Sequence, residues 1–128
     1  MIIRDPGGQV LLVQGVQFDG VDDPIVIESL VLREAIIWCL SLGFSVVCFE
    51  GDAKVVIDKI NQASTRDNQI GAILEEIVGF FALHSGLSVR FVGRSSNRVA
   101  HLVARRALSL YPASCRNFDF AAWLNSRM

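Results

Sequence analysis

Four turn-forming residues in a row, Asp5-Pro6-Gly7-Gly8, stand between two apolar, β-branched runs, Ile2 to Arg4 and Val10 to Val16. Proline fixes its own φ and the glycines open left-handed backbone to the chain, so the segment reverses direction. The flanking runs therefore read as the two strands of an antiparallel hairpin. From its apolar, β-branched start, Met-Ile-Ile, the chain is expected to open inside its fold.

Downstream, helical and strand spacings alternate. Asp19 to Pro24 is a polar connection, and Pro24 is placed to open a helix that runs to about Leu42 and ends at Gly43 in a left-handed cap. Phe44 to Phe49 is a short β-branched and aromatic run, a buried strand. Asp52 precedes a helix from Ala53 to about Gln62, and 63–68 is a polar loop. Apolar residues at Ile70, Ile73, Leu74, Ile77, Val78 and Phe81 give a helix over 69–84. Gly86 breaks it, Leu87 to Val92 is another strand, and Ser95 or Ser96 starts a last helix to about Leu110. The order β-β-α-β-α-α-β-α predicts an α/β fold: a mixed sheet with an antiparallel hairpin first, parallel strands later, and helices on its faces. The expected organisation is one domain over 1–110 and a tail over 111–128 whose Phe118, Phe120 and Trp123 fold back.

The 128 residues, 52% hydrophobic and 20% charged, amount to one domain with a true core and exclude a disordered or low-complexity chain. The longest apolar run, Ala35 to Leu40, is far short of the roughly 18–20 residues of a membrane span. There is no basic-then-apolar leader, and Cys39, Cys48 and Cys115 form no CxxC pair. This reads as an intracellular protein, nuclear or cytoplasmic, with reduced thiols. Cys39 and Cys48, set among apolar neighbours, read as core.

A net charge of −1 hides an asymmetry: residues 1–89 hold 5 basic and 12 acidic residues, whereas 90–128 hold 7 arginines and a single acid, Asp119. Arginine's planar fork suits phosphate. The basic third is either a footprint for nucleic acid or the counter-charge of the acidic remainder.

Three places draw attention. Glu28 heads a stripe of Leu32, Ala35 and Cys39, which aims it toward the sheet, where an unpaired charge is costly. Its partner is then a metal ion, an arginine or water; alternatively, in the first turn, it stays wet and favours the helix dipole. Asp52 follows an apolar strand at the carboxyl end, where α/β sheets bind ligands, and equally suits a plain N-cap. In the last helix Ala100, Val103, Ala104 and Ala107 form a small-residue stripe. Arg98, His101 and Arg105 lie opposite, with Arg94 upstream, as a phosphate grip or a solvated face. Glu75 and Glu76 read as solvated surface.

The stretches IVIESLVLREAIIWCLSLGFSVVCFEGDAKVVIDKIN (25–61) and VRFVGRSSNRVAHLVARRA (89–107), with the turn IIRDPGGQVLL (2–12), resemble the ribonuclease H-like superfamily. Within it they resemble the plant reverse-transcriptase-like RNase H domain found alone or in retroelement-derived proteins. It implies a five-stranded mixed sheet flanked by helices and hydrolysis of the RNA strand of an RNA–DNA hybrid. In that family four carboxylates hold two Mg²⁺ (Mn²⁺ being the other candidate ion), which activate water and stabilise the leaving oxygen. The family's helix glutamate falls on Glu28 and its strand-end aspartate on Asp52. The implied metal ligands are thus Glu28 and Asp52, and His101 stands in the catalytic set. Arg94, Asn97, Arg98 and Arg105 are the implied nucleic-acid contacts.

Two departures accompany the resemblance. In Asn97-Arg98-Val99-Ala100-His101 a histidine stands where the family has an aspartate, and imidazole is a poor Mg²⁺ ligand. The family's first aspartate lies on an opening, central strand, upstream of the hairpin with which this chain begins. The expectation is a longer natural chain; the other fillers of the gap are direct pairing of the two halves or a strand from a second copy, which would make the protein self-associate. Weak or absent hydrolysis, with RNA or hybrid binding retained, is the corresponding functional expectation, alongside a degenerate remnant that serves protein association.

Overall fold

The computed structural model of the chain describes residues 2–4, 7, 10–13, 18–62, 70–95 and 98. Two compact units divide it, Met1–Gly20 with Ser95–Met128, and Val21–Arg94. In the first, β1 (Ile2–Arg4) pairs antiparallel with β2 (Val10–Val13), in the register Ile2 to Val13 and Ile3 to Leu12, with an irregularity before Arg4 meets Val10. The two strands thus pair as the expected hairpin requires, and most of the turn between them lies outside the described residues. Residues 14–16 of the expected second strand lie outside the described residues.

The second unit holds α1 (Pro24–Ser41), β3 (Val47–Gly51), α2 (Lys54–Asn61), α3 (Gly71–Leu83) and β4 (Leu87–Phe91). Its two strands pair in parallel, Val47 with Leu87 through Gly51 with Phe91. Parallel neighbours cannot be joined by a tight turn, and α2 and α3 form the crossover between them. The antiparallel start and the later parallel strands both match the mixed α/β expectation. The loop at 63–68, nearly all of the last helix and the tail lie outside the described residues.

Local chemistry sets the bounds of α1. Asp23 is its N-cap, with Oδ1 accepting the Ile25 N–H at 2.9 Å, and Pro24 occupies the first helical position, where a missing N–H costs nothing. At the far end the Phe44 N–H donates to the Cys39 carbonyl and the Gly43 N–H to the Leu40 carbonyl, both at 3.1 Å. With Gly43 at φ +84° this is a Schellman closure.

That closure corrects the expected start of β3. Phe44 and Ser45 belong to the connection, because the Phe44 N–H is already engaged with the helix, and the ladder opens only at Val47, whose N–H donates to the Gly86 carbonyl at 3.0 Å. The strand runs on through Glu50 and Gly51, two residues beyond the expected end.

The core of this unit comprises Ile36, Cys39, Phe49, Val56, Ile57, Ile60, Ile70, Leu74, Ile77, Leu87 and Val89. Phe49 and Phe81 meet edge to face, with ring centroids 6.4 Å apart and an interplanar angle of 87°. Asn61 of α2 donates to the Val89 carbonyl at 3.4 Å. On the other strand face Cys48, Glu50, Ser88 and Arg90 are exposed. Cys48 therefore departs from the core expectation: strand side chains alternate, and its neighbour Phe49 takes the inward position.

Candidate functional site

The helix starts at Pro24 as expected, which makes Glu28 its fifth residue and places it in the second turn rather than the first. Its side chain is exposed, while the buried line of the helix runs through Ser29, Ile36 and Cys39. The glutamate thus sits beside the inward stripe rather than at its head. Ser29, fully buried, satisfies its hydroxyl by donating to the Ile25 carbonyl at 2.8 Å. Arg33, one turn below, reaches Glu76 of α3 at 3.4 Å, so Glu76 is both exposed, as expected, and paired.

Asp52 is half-buried at the carboxyl end of β3. The cap position of α2 belongs to Ala53, which offers no side-chain oxygen, and the Asp52 carbonyl accepts the Lys54 N–H at 3.1 Å. Asp52 therefore stands one residue outside the cap, between the last ladder residue and the helix. Neither Glu28 nor Asp52 is without a partner.

Beside Asp52 the strand ends gather charge and one aromatic ring. Lys54 pairs with Asp58 at 2.7 Å, one turn along α2, and its Nζ lies 5.9 Å from the centroid of Phe91. Phe91 is opposite Gly51 in the ladder and remains exposed. Neither residue stands out in the sequence: Phe91 alternates in phase with Leu87 and Val89, and Lys54 is a single lysine at a helix start.

Arg90 and Glu50 face each other across the ladder, with Nε 2.8 Å from Oε2 and Nη2 bonded to the same oxygen. That hydrogen bond, with the carboxylate's charge, raises the guanidinium pKa. One of the C-terminal arginines is thus balanced by the acidic part of the chain. Arg94, in the turn after β4, is exposed and has no ion-pair partner among the described residues. In the other unit Arg98 is helical and exposed, and the rest of the expected last helix lies outside the described residues. Asn97, His101 and Arg105 lie outside the described residues.

No group of three or more His, Cys, Asp or Glu among the described residues stands together as a metal site. Mg²⁺ asks for six oxygen donors, and a pair of carboxylates suffices only when water and substrate phosphate complete the shell. The described donors do not make a metal centre by themselves. No helix among the described residues is long and apolar enough to cross a membrane.

Comparison with known families matches residues 1–107 to the family described as reverse transcriptase-like, which usually works with divalent metals. No curated protein matches the chain. The match takes in the hairpin, the helix that carries Glu28, the strand that ends at Asp52 and the second parallel strand, and so the chain belongs to the reverse transcriptase-like family of RNase H-like domains.

Proposed function

We propose that this chain is an RNase H-type domain that binds RNA or an RNA–DNA hybrid and holds its backbone mainly through arginine. Exposed Arg94, at the carboxyl end of the parallel strands, is the observation that carries this reading. Ligands of open α/β sheets bind at that end of the strands, and an unpaired guanidinium there meets phosphate bidentately. Arg98, Asn97 and Arg105 supply further contacts by resemblance. His101 suits the same role, since a neutral or cationic ring in place of a carboxylate repels no phosphate.

Binding of this kind releases counterions, so affinity falls steeply with salt. Anisotropy of a labelled hybrid at several salt concentrations tests it. The expected result is a linear decline of log affinity with log salt, shallower by roughly 0.9 for each phosphate contact removed, as in Arg94→Ala. Salt-independent association, or none, overturns the proposal.

A hydrolytic reading has one observation of its own. Glu28 lies 13 residues before the end of α1, about 20 Å along a helix axis. Asp52 lies five residues beyond the start of β3, about 17 Å along a strand. The two acids thus lie at comparable lengths along their own elements from the connection 42–46 that joins α1 to β3. Cleavage of the hybrid's RNA strand with added Mg²⁺ or Mn²⁺, abolished by Glu28→Ala and Asp52→Ala, is its expected signature. Hybrid that stays bound and uncut rejects hydrolysis and leaves binding standing.

A further inference from the structure

We propose that Phe91 is a stacking platform for an unpaired nucleobase, so that this end of the parallel strands takes single-stranded or locally opened nucleic acid. The inference rests on the nucleic-acid-binding reading and deepens it.

Phe91 is the last residue of β4 and shares its strand face with Leu87 and Val89, which are 6% and 8% exposed. Phe91 is 46% exposed. Its backbone is not loose: it is in register with Gly51, and the next residue, Val92, donates its N–H to the Gly51 carbonyl at 2.8 Å. A fixed backbone thus presents a large apolar ring to water. The ladder partner, a glycine, contributes no side chain to cover it.

Charges of both signs surround the ring, and the cations are the ones a phosphate would meet. Lys54 Nζ stands 5.9 Å from the ring centroid, steadied by Asp58, and Arg94 is exposed three residues downstream. An aromatic ring with lysine and arginine close by is the combination that binds single strands: the ring stacks a base of any sequence, and the cations meet the flanking phosphates. A fully paired duplex keeps its bases stacked on one another and offers this ring only its backbone. The platform therefore discriminates by strandedness rather than by sequence.

The test uses the full chain, a labelled mixed-sequence 12-nucleotide RNA and the same RNA paired with complementary DNA. Phe91→Leu is expected to weaken single-strand binding by about fivefold or more, with an unchanged salt slope and little effect on the paired hybrid. Phe91→Trp is expected to preserve single-strand affinity, and its added indole emission, measured against the wild-type background, to be quenched on binding. Arg94→Ala is expected to flatten the salt slope instead. Equal single-strand affinity for Phe91→Leu and wild type overturns the stacking platform, as does an equal loss on both ligands; salt-dependent binding by the wild-type chain then still upholds the broader reading. Failure of the wild-type chain to bind either ligand overturns both.

Discussion

Phe49 of β3 sets its ring edge-on to Phe81 of α3, at 87° and 6.4 Å between centroids, and so ties the parallel pair to the helix that crosses back over it. Phe49→Leu keeps an apolar side chain but loses the aromatic edge, an expected cost of about 1 kcal/mol. Phe49→Ala adds a cavity at a buried site and is expected to cost about 3–5 kcal/mol. Urea midpoints of the two variants measure the difference.

Two glycines should respond to alanine with opposite signs. A Cβ on Gly86 would collide with the Ser45 carbonyl oxygen, where the backbones leading into β3 and β4 touch. Gly86→Ala is therefore expected to destabilise by roughly 2 kcal/mol or more. Gly79, inside α3, has nothing within 4 Å of an added Cβ. Gly79→Ala is expected to stabilise by roughly 0.5–1 kcal/mol, because alanine gives up less backbone entropy on entering a helix. Thermal unfolding of both variants provides the check.

The cysteines on successive elements should differ in reactivity. Burial pushes the Cys39 thiol above its ordinary pKa of 9.0, while Cys48 is exposed on the open strand face. Mass-spectrometric mapping of alkylation in the folded state is expected to show Cys48 modified first and Cys39 protected until unfolding. The shift also fixes a pH trend. Above the ordinary thiol pKa the unfolded chain releases the Cys39 proton while the native chain keeps it, so stability declines as pH rises toward the native value. Replacement by Ala should remove that part of the alkaline decline.

Arg33 offers a polar group whose removal should do no harm. Its Nε is buried with no hydrogen-bond partner among the described residues, and its guanidinium reaches Glu76 only at 3.4 Å and Glu34 at 4.0 Å. Arg33→Met keeps the apolar stem and deletes the unsatisfied donor. Unchanged stability, or a gain of up to about 1 kcal/mol, is expected in urea titration. A substantial loss would show that the long ion pairs contribute more than their geometry indicates.

The beginning of α1 was legible because Pro24, after the cap-forming Asp23, suits the first helical position, and its end because Gly43 suits a left-handed cap. The start of β3 was not. Phe44 and Ser45 have strand-like side chains, but their backbones are committed to the helix closure and to the close approach of Gly86. Hydropathy says nothing of such backbone commitments. Cys48 misled for a related reason: its apolar neighbours are shared by both strand faces, and only the inward turn of Phe49 assigns it to the open side. Glu28 and Asp52 stood out in the sequence as carboxylates at element ends. Phe91 did not, since a phenylalanine in strand alternation looks like core until the strand is seen to outrun its cover.

The contact between Gly86 and Ser45 acts at a distance. It starts both strands in step, and an unbroken five-pair ladder then delivers Gly51 and Phe91 side by side. A slip of one residue would turn every side chain of one strand to the opposite face. The aromatic ring would then swap places with a charged neighbour. The spacing between Asp52 and its ring-bearing companion is thus gauged from the opposite tip of the sheet, and a methyl group added there would be felt at the proposed platform.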